Sequence, residues 1–472
     1  MKKPEPRISY KWIATSVVAV GTFMSTLDDG AVRIALPHLG HVFQAGPDTV
    51  VWVLLIYLLI GTGFMLTLGW AGDAFGRKRL YTFGLVIFSI GLGLCSLAKS
   101  LIQLVMFRLV QAVGAAMINA IGNAIITGSF PSEERGRALG ITEAVVGVGL
   151  LSGPALGGIL LDRLGWRSIF YLRLPIGIIG AAMARALLKN QFSPKQGQKF
   201  DLLGATTLFL TLTCLLLAVN QGQSSGWASP WVVGLGLTSV LLLSLFLFVE
   251  RGVAQPVLDL RLFRRRLFSA ASGSHVFLYM ATTAVSFLMP FHLIQGLGLS
   301  ASKTGLLLAT IPAIRLVVSP LSGRLSDRLG TFFLCASGLT LVSTGLFLLS
   351  GLGANASIGN VVLCLLVLGV GMALFVPPNT SAIMGSVPSE KLGTASAMVS
   401  TLRQMGMSVG LAIAGSVFAA SQFSHASQFA SQGLPEDVVQ RLSTVSGVHD
   451  AIFAALAIAL VGLVASVLRG RR

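Results

Sequence analysis

Asp28, Asp29 and Arg33 fall within six positions of one another in STLDDGAVRIALP, residues 25–37. The surrounding run is apolar enough to lie in hydrocarbon, where one charge costs about 2.5–3.5 kcal/mol even on lenient insertion scales. Such residues persist there when they are paired, wetted or used. On a helix Asp29 and Arg33 are four apart with the acid first, the better order for an ion pair. Asp28 lies about 140° around the axis from Arg33. One acid is therefore neutralised within its own helix, and the other needs water, a proton or a cation. In a half-wet cavity such a carboxyl can take a proton from one side and release it to the other. Asp28 is thus the candidate coupling or substrate-sensing acid, with Asp29–Arg33 a structural pair.

The elements that must hold these groups are membrane helices. Of 472 residues, 54% are hydrophobic and 11% charged, against about 25% charged in a soluble domain. Runs long enough to cross about 30 Å of hydrocarbon fall near 12–36, 50–71, 80–98, 101–127, 138–161, 167–188, 202–220, 230–249, 267–295, 304–323, 331–351, 358–382, 394–421 and 450–468. Fourteen spans put both termini on one side. Only Lys99, Arg163, Arg167, Lys303 and Arg441, of 34 Lys and Arg, fall in loops on the other side. By the positive-inside rule the termini are cytoplasmic. That placement also removes nucleic acid as a partner despite the net charge of +17, and makes RLFRRR (261–266) and RGRR (469–472) membrane-face anchors. The basic N-terminus precedes a run with no small-residue cleavage site and reads as a retained first span. Cys95, Cys214, Cys335 and Cys364 sit far apart in apolar runs, as small buried hydrophobes. There is no Ser-His-Asp grouping, HExxH, Walker loop or metal-ligand spacing. No enzyme chemistry, metal or cofactor is expected, and ATP is excluded as the drive within the chain.

The chain also repeats itself. Gly69, Asp73 and Gly76 of GWAGDAFGRK (69–78) recur at identical spacing as Gly323, Asp327 and Gly330 of GRLSDRLG (323–330). Each follows a span leading to the cytoplasmic face. Two such halves around a central site are a usual transporter plan. The expected fold is all-α, with a six-helix bundle in 1–190, two inserted helices with basic flanks in 191–266, and a second six-helix bundle in 267–472.

These motifs resemble the major facilitator superfamily, and within it the fourteen-spanner drug:proton antiporters, from the first span to at least residue 415. Leu27, Asp28 and the ending Arg33-Ile34-Ala35-Leu36-Pro37 are similar to the family's first-span signature. Gly69, Asp73, Gly76, Arg77 and Lys78 resemble its cytoplasmic loop, RLVQAVGAA (108–116) its fourth-span element, and GLLSGPALGG (149–158) its antiporter signature. The resemblance implies a proton-coupling role for Arg108, beside the alternative of a structural ion pair. It implies a cytoplasmic gate in which Asp73, Arg77 and Lys78 bridge helix ends. Gly149, Gly153, Gly157 and Gly158 are small residues at helical spacing, suited to close approach of another helix, and Pro154 bends the span. Glu143 matches no signature and reads equally as a snorkelling carboxylate or a cavity acid, counted here with the proton-coupling candidates.

Arg33 and Arg173 stand where the family has neutral Asn, and Arg315 is mid-span, so these cations either line a central cavity or each pair privately. Substrate-cavity candidates are Arg33, Asn119, Asn123, Arg173, His292, Arg315, Phe375, Asn379 and Arg403, with Phe287, Met289, Phe291 and Met372 as adaptable apolar lining, although aromatic and Met residues on membrane helices more often serve plain packing. The expected protein is a monomeric multi-pass transporter of a bacterial inner membrane that exports amphiphilic small molecules against proton entry, with no nucleic-acid partner. Alternatives are an exporter or flippase of anionic or zwitterionic amphiphiles in the same scaffold, and a non-transporting membrane receptor. The 422–449 stretch is expected to be an outer loop that forms either a short amphipathic surface helix or a docking element, and nothing in its residues decides between them.

Overall fold

A computed structural model describes residues 9–130, 135–189, 201–253, 260–386 and 392–468. Among them the regular structure is entirely helical. The first half holds α1 (Tyr10–Val42), the turn α2 (Pro47–Val50), α3 (Trp52–Phe75), α4 (Arg77–Leu97), α5 (Leu101–Ser129), α6 (Arg135–Leu164), the turn α7 (Ser168–Tyr171) and α8 (Leu174–Leu187). The pair α9 (Leu202–Ser225) and α10 (Pro230–Gly252) follows. Next come α11 (Arg266–Phe291), α12 (Ala301–Leu308), α13 (Thr310–Leu329), α14 (Thr331–Ser350), α15 (Ile358–Gly385), α16 (Leu392–Ser431) and α17 (Glu436–Val467). Among the described residues, 12 helices are long and apolar enough to cross a membrane. α1 and α3, at 33 and 24 residues, have the length as well.

Helix starts are written locally. Ser100, Ser300 and Ser357 each accept from the backbone N–H three residues on, closing the first turn of α5, α12 and α15, and Asp201 does so for α9. The repeated loops end their helices alike. Gly76 (φ +100°) separates α3 from α4, and Gly330 (φ +79°) separates α13 from α14. Both need the left-handed backbone that glycine adopts without strain. Arg265 and Arg266 of the basic run donate to the carbonyls of Ser386 and Leu468, which end α15 and α17.

Within the first half α1 packs on α5, α6 and α8, while α4 packs on α5 and α8. In the second, α11 packs on α16 and α17, and α14 on α15 and α17. The α9–α10 pair reaches both: Trp52 Nε1 donates to Asn220 Oδ1 at 2.9 Å, and Ser416 Oγ to the Val219 carbonyl at 2.8 Å. Residues 422–449 are mostly helical, neither an irregular outer loop nor a separate surface helix. They complete α16 and begin α17, joined by a short connection after Ser431. Polar contacts between the two helices, such as Gln422 Nε2 to Thr444 Oγ1 at 2.8 Å, hold them in register past the apolar stretch.

Glycines bring α6 onto two neighbours. A Cβ at Gly153 would stand 2.9 Å from the Leu27 carbonyl, and one at Gly157 2.6 Å from the Ala31 Cα. Gly149 meets α1 at Thr26, but Gly158 points around the helix to the Ala301 carbonyl of α12. The four glycines thus serve two contacts, one within the first half and one between halves. At that second contact the Asp162 carboxylate accepts from the N–H groups of Ala301 (3.1 Å) and Ser302 (2.8 Å), tying the end of α6 to the start of α12.

Candidate functional site

Asp28 leaves the face of α1 that Asp29 and Arg33 occupy and enters a sealed polar cluster. Its carboxylate accepts from Arg108 Nη1 at 2.5 Å and Gln111 Nε2 at 3.0 Å, and pairs with Arg173 Nη1 at 2.7 Å. Arg108 and Gln111 are three residues apart on α5 and so share a face. Arg173 arrives from a helix break: Pro175 opens α8, and Arg173 sits in the joint after α7 with Nε donating to the Ile169 carbonyl. Arg108 also donates to the Val53 carbonyl, to Gln111 Oε1, and stacks 4.5 Å from the Tyr57 ring. Asp28 and Arg108 are fully buried and Arg173 is 4% exposed. One carboxylate therefore holds two guanidiniums out of water.

Asp28 does not line a half-wet cavity, as its residue types suggested. Two arginines supply the cation that its position required, and their side chains exclude solvent. The cavity lies on the other face of α1 and measures about 360 Å³. Its walls come from α1, α3, α5 and α6 of the first half and from α11, α12, α13, α15 and α16 of the second. Asp29, Arg33, Asn119, Arg315 and Arg403 line it. Arg33 grips Asp29 with Nε at 3.1 Å and Nη2 at 2.9 Å, and Asn119 Oδ1 accepts from Ser25. Tyr57 is the shared wall, lining the cavity while its ring covers Arg108.

Several cavity candidates lie elsewhere. Arg173 is in the Asp28 cluster because Pro175 ends its helical register. His292 is buried in a π-helical turn after α11. Phe375 is buried where α15 meets Gly338 of α14. Asn379 donates to the Ala271 carbonyl at 3.0 Å, fastening α15 to α11. Phe287 and Phe291 pack on Phe418 in core edge-to-face contacts, and of the apolar candidates Met372 reaches the cavity. Arg77 donates to the Ala124 carbonyl of α5 at 2.8 Å, and Gly323 faces open space. Lys78 is half-buried at the start of α4. The side chains of Asp73, Asn123, Glu143 and Asp327, and Gly69, lie outside the described residues. Gln111 and Tyr57 were not singled out from sequence; the spacing of Gln111 from Arg108 was its available signal.

Residues 18–411 match the Major Facilitator Superfamily. The chain is 36% identical over 411 residues to the riboflavin transporter RibZ of Clostridioides difficile, covering 87% of this chain and 89% of that one. It is 33% identical over 402 residues to the multidrug resistance protein Stp of Mycobacterium tuberculosis, covering 85% and 74%. It is also similar in fold to the crystal structure of a bacterial homologue of the human lysosomal transporter Spinster in an inward-facing, unoccupied conformation. There the TM-score is 0.70 at 16% identity, over 99% of this chain and 98% of that one.

Proposed function

Because this chain belongs to the major facilitator superfamily of membrane transporters, we propose that it is a proton-coupled exporter of amphiphilic small molecules, of the fourteen-spanner antiporter type. The proposal places it in a bacterial inner membrane as a monomer with both termini cytoplasmic. Two six-helix bundles, 1–190 and 267–472, rock about the cavity, and α9–α10 is the insertion between them. The carrying observation is that one cavity draws its walls from both halves of the chain while a buried acid stands behind Tyr57. Relatives named for multidrug resistance support export, and one named for riboflavin transport supports a flat organic cargo.

In this reading the Asp162 end faces outward, and its tie to α12 closes the outer side. Opening that side breaks the tie and admits a proton to Asp28. A proton on Asp28 removes the anion that holds Arg108 and Arg173, and a buried charge stripped of its partner costs about 3–5 kcal/mol. The two guanidiniums must then find other acceptors, so α1, α5 and α8, which carry the cluster, shift together. A local charge change thereby biases a two-state bundle.

The test is reconstitution of the pure protein in liposomes with an imposed pH gradient. Uptake of riboflavin, rhodamine 6G and 6-carboxyfluorescein is followed with and without a protonophore. Gradient-dependent movement of at least one compound, abolished by the protonophore, is expected. Movement of none, or movement indifferent to the protonophore, contradicts the proposal.

A further inference from the structure

The described walls of the cavity carry three guanidiniums, Arg33, Arg315 and Arg403, against a single carboxylate, Asp29. That carboxylate is already engaged. Arg33 takes it bidentately and still has Nη1 buried without an acceptor. Arg315 and Arg403 have no ion pair among the described residues, and Arg315 Nε is likewise buried without an acceptor. Behind Tyr57 the Asp28 cluster adds two further arginines against one acid. The field of the described charges around the cavity is therefore positive from two directions.

A guanidinium offers a planar fork that matches carboxylate, sulfonate or phosphate oxygens, and it is weakly hydrated enough to give up water for them. The remaining wall has an apolar side at Leu150, Ile311, Leu368 and Met372. Its volume falls within the roughly 300–1,000 Å³ of sites for drug-sized ligands. Organic cations, by contrast, would meet three positive charges and one occupied acid among the described residues of the wall.

We infer that the cavity selects amphiphilic organic anions, with the anionic group on Arg315 and Arg403 and the apolar body against Leu150, Ile311, Leu368 and Met372. This deepens the transport reading and rests on it. Arg33 has a different part, because Asp29 holds it in place as wall rather than as ligand.

Three xanthene dyes of nearly constant ring system test the inference: 6-carboxyfluorescein (anionic), rhodamine B (zwitterionic) and rhodamine 6G (cationic). Binding to the full-length protein in nanodiscs is measured by fluorescence anisotropy, with empty nanodiscs subtracted. The expected order is carboxyfluorescein at least tenfold tighter than rhodamine 6G, with rhodamine B between. Arg315→Gln and Arg403→Gln should each weaken carboxyfluorescein about tenfold and leave rhodamine 6G no weaker. Arg315→Lys and Arg403→Lys, which keep the charge, should retain most of the preference and also stand in should a Gln variant fail to fold. Equal or tighter binding of rhodamine 6G, no binding of carboxyfluorescein, or Gln variants that fold and bind carboxyfluorescein unchanged would overturn the assignment. The two readings fail separately. Rhodamine 6G preferred and driven by the pH gradient sinks the anion class alone, while carboxyfluorescein bound with no dye moved under a gradient sinks the transport reading.

Discussion

Asp28→Asn and Arg173→Gln alter the same cluster in opposite electrostatic directions. Native Asp28 balances one of two buried guanidiniums, Arg108 at 2.5 Å and Arg173 at 2.7 Å, leaving an excess of one positive charge. Asp28→Asn raises that excess to two and strips both arginines of their anion. Removing one partner of a buried pair costs about 3–5 kcal/mol, and this change should reach that range. Arg173→Gln removes the ion pair with Asp28 and one charge-assisted hydrogen bond, Nε to the Ile169 carbonyl, the latter worth about 1.5–3 kcal/mol. It also removes a buried cation and its repulsion with Arg108, and leaves a neutral pair still satisfied by Gln111. A net loss near 1 kcal/mol is expected, on the order of a third of the Asp28→Asn effect. The double variant leaves only Arg108 unbalanced, with Gln111, Val53 and Tyr57 still against it. It should be no less stable than Asp28→Asn alone, a coupling within the roughly 0.5–3 kcal/mol seen for contacting residues. Thermal unfolding of the four proteins in nanodiscs supplies the cycle. Additivity within about 0.5 kcal/mol, or an Asp28→Asn protein that melts with the wild type, would refute the cluster energetics.

Three further outcomes follow from other contacts. Asp162→Ala removes the acceptor of the Ala301 and Ser302 N–H groups, so the outer tie between halves loosens; spin labels at exposed positions 163 and 303, on a background lacking the four cysteines, should show a broader and longer distance distribution, and an unchanged one counts against the tie. Gly157→Leu forces α6 away from the Ala31 backbone, where even a Cβ lacks room; a loss of about 2 kcal/mol or more is expected from overpacking, and a melting point within error of wild type would speak against that contact. Asn220→Ala breaks the ties of α9 to Trp52 and to the Asp48 carbonyl; a loss of about 1–2 kcal/mol, two hydrogen bonds' worth, is expected by thermal unfolding, and none would mean that apolar packing alone docks the pair.

Apolar run length made the helices legible, because the bilayer demands both length and internally satisfied backbone. The i,i+4 spacing of Asp29 and Arg33 implied the bidentate pair that the helix forms, since that contact depends on one helix alone. Repeated glycines implied paired helix breaks, because φ is a local property. What stayed hidden required two elements at once. Nothing in the first span reveals that Asp28 meets Arg108 and Arg173, which come from α5 and from a joint opened by Pro175. Residue type left Phe287, Phe291 and Phe375 open between cavity lining and plain packing, the commoner role on membrane helices, and contacts with Phe418 and α14 put them in the core. The polar 422–449 stretch left a surface helix and a docking element both open, because neither depends on its residues alone; its helices extend α16 and α17 past the apolar region and hold each other through side-chain hydrogen bonds.

Asp28 is the acid through which proton entry is proposed to drive cargo, and Asp28→Asn in liposomes tests this most directly. Two rates are compared below the variant's melting point: exchange of labelled cargo without a gradient, and accumulation driven by a pH gradient. The account predicts exchange retained and gradient-driven accumulation lost. Accumulation by Asp28→Asn at the wild-type rate would contradict it.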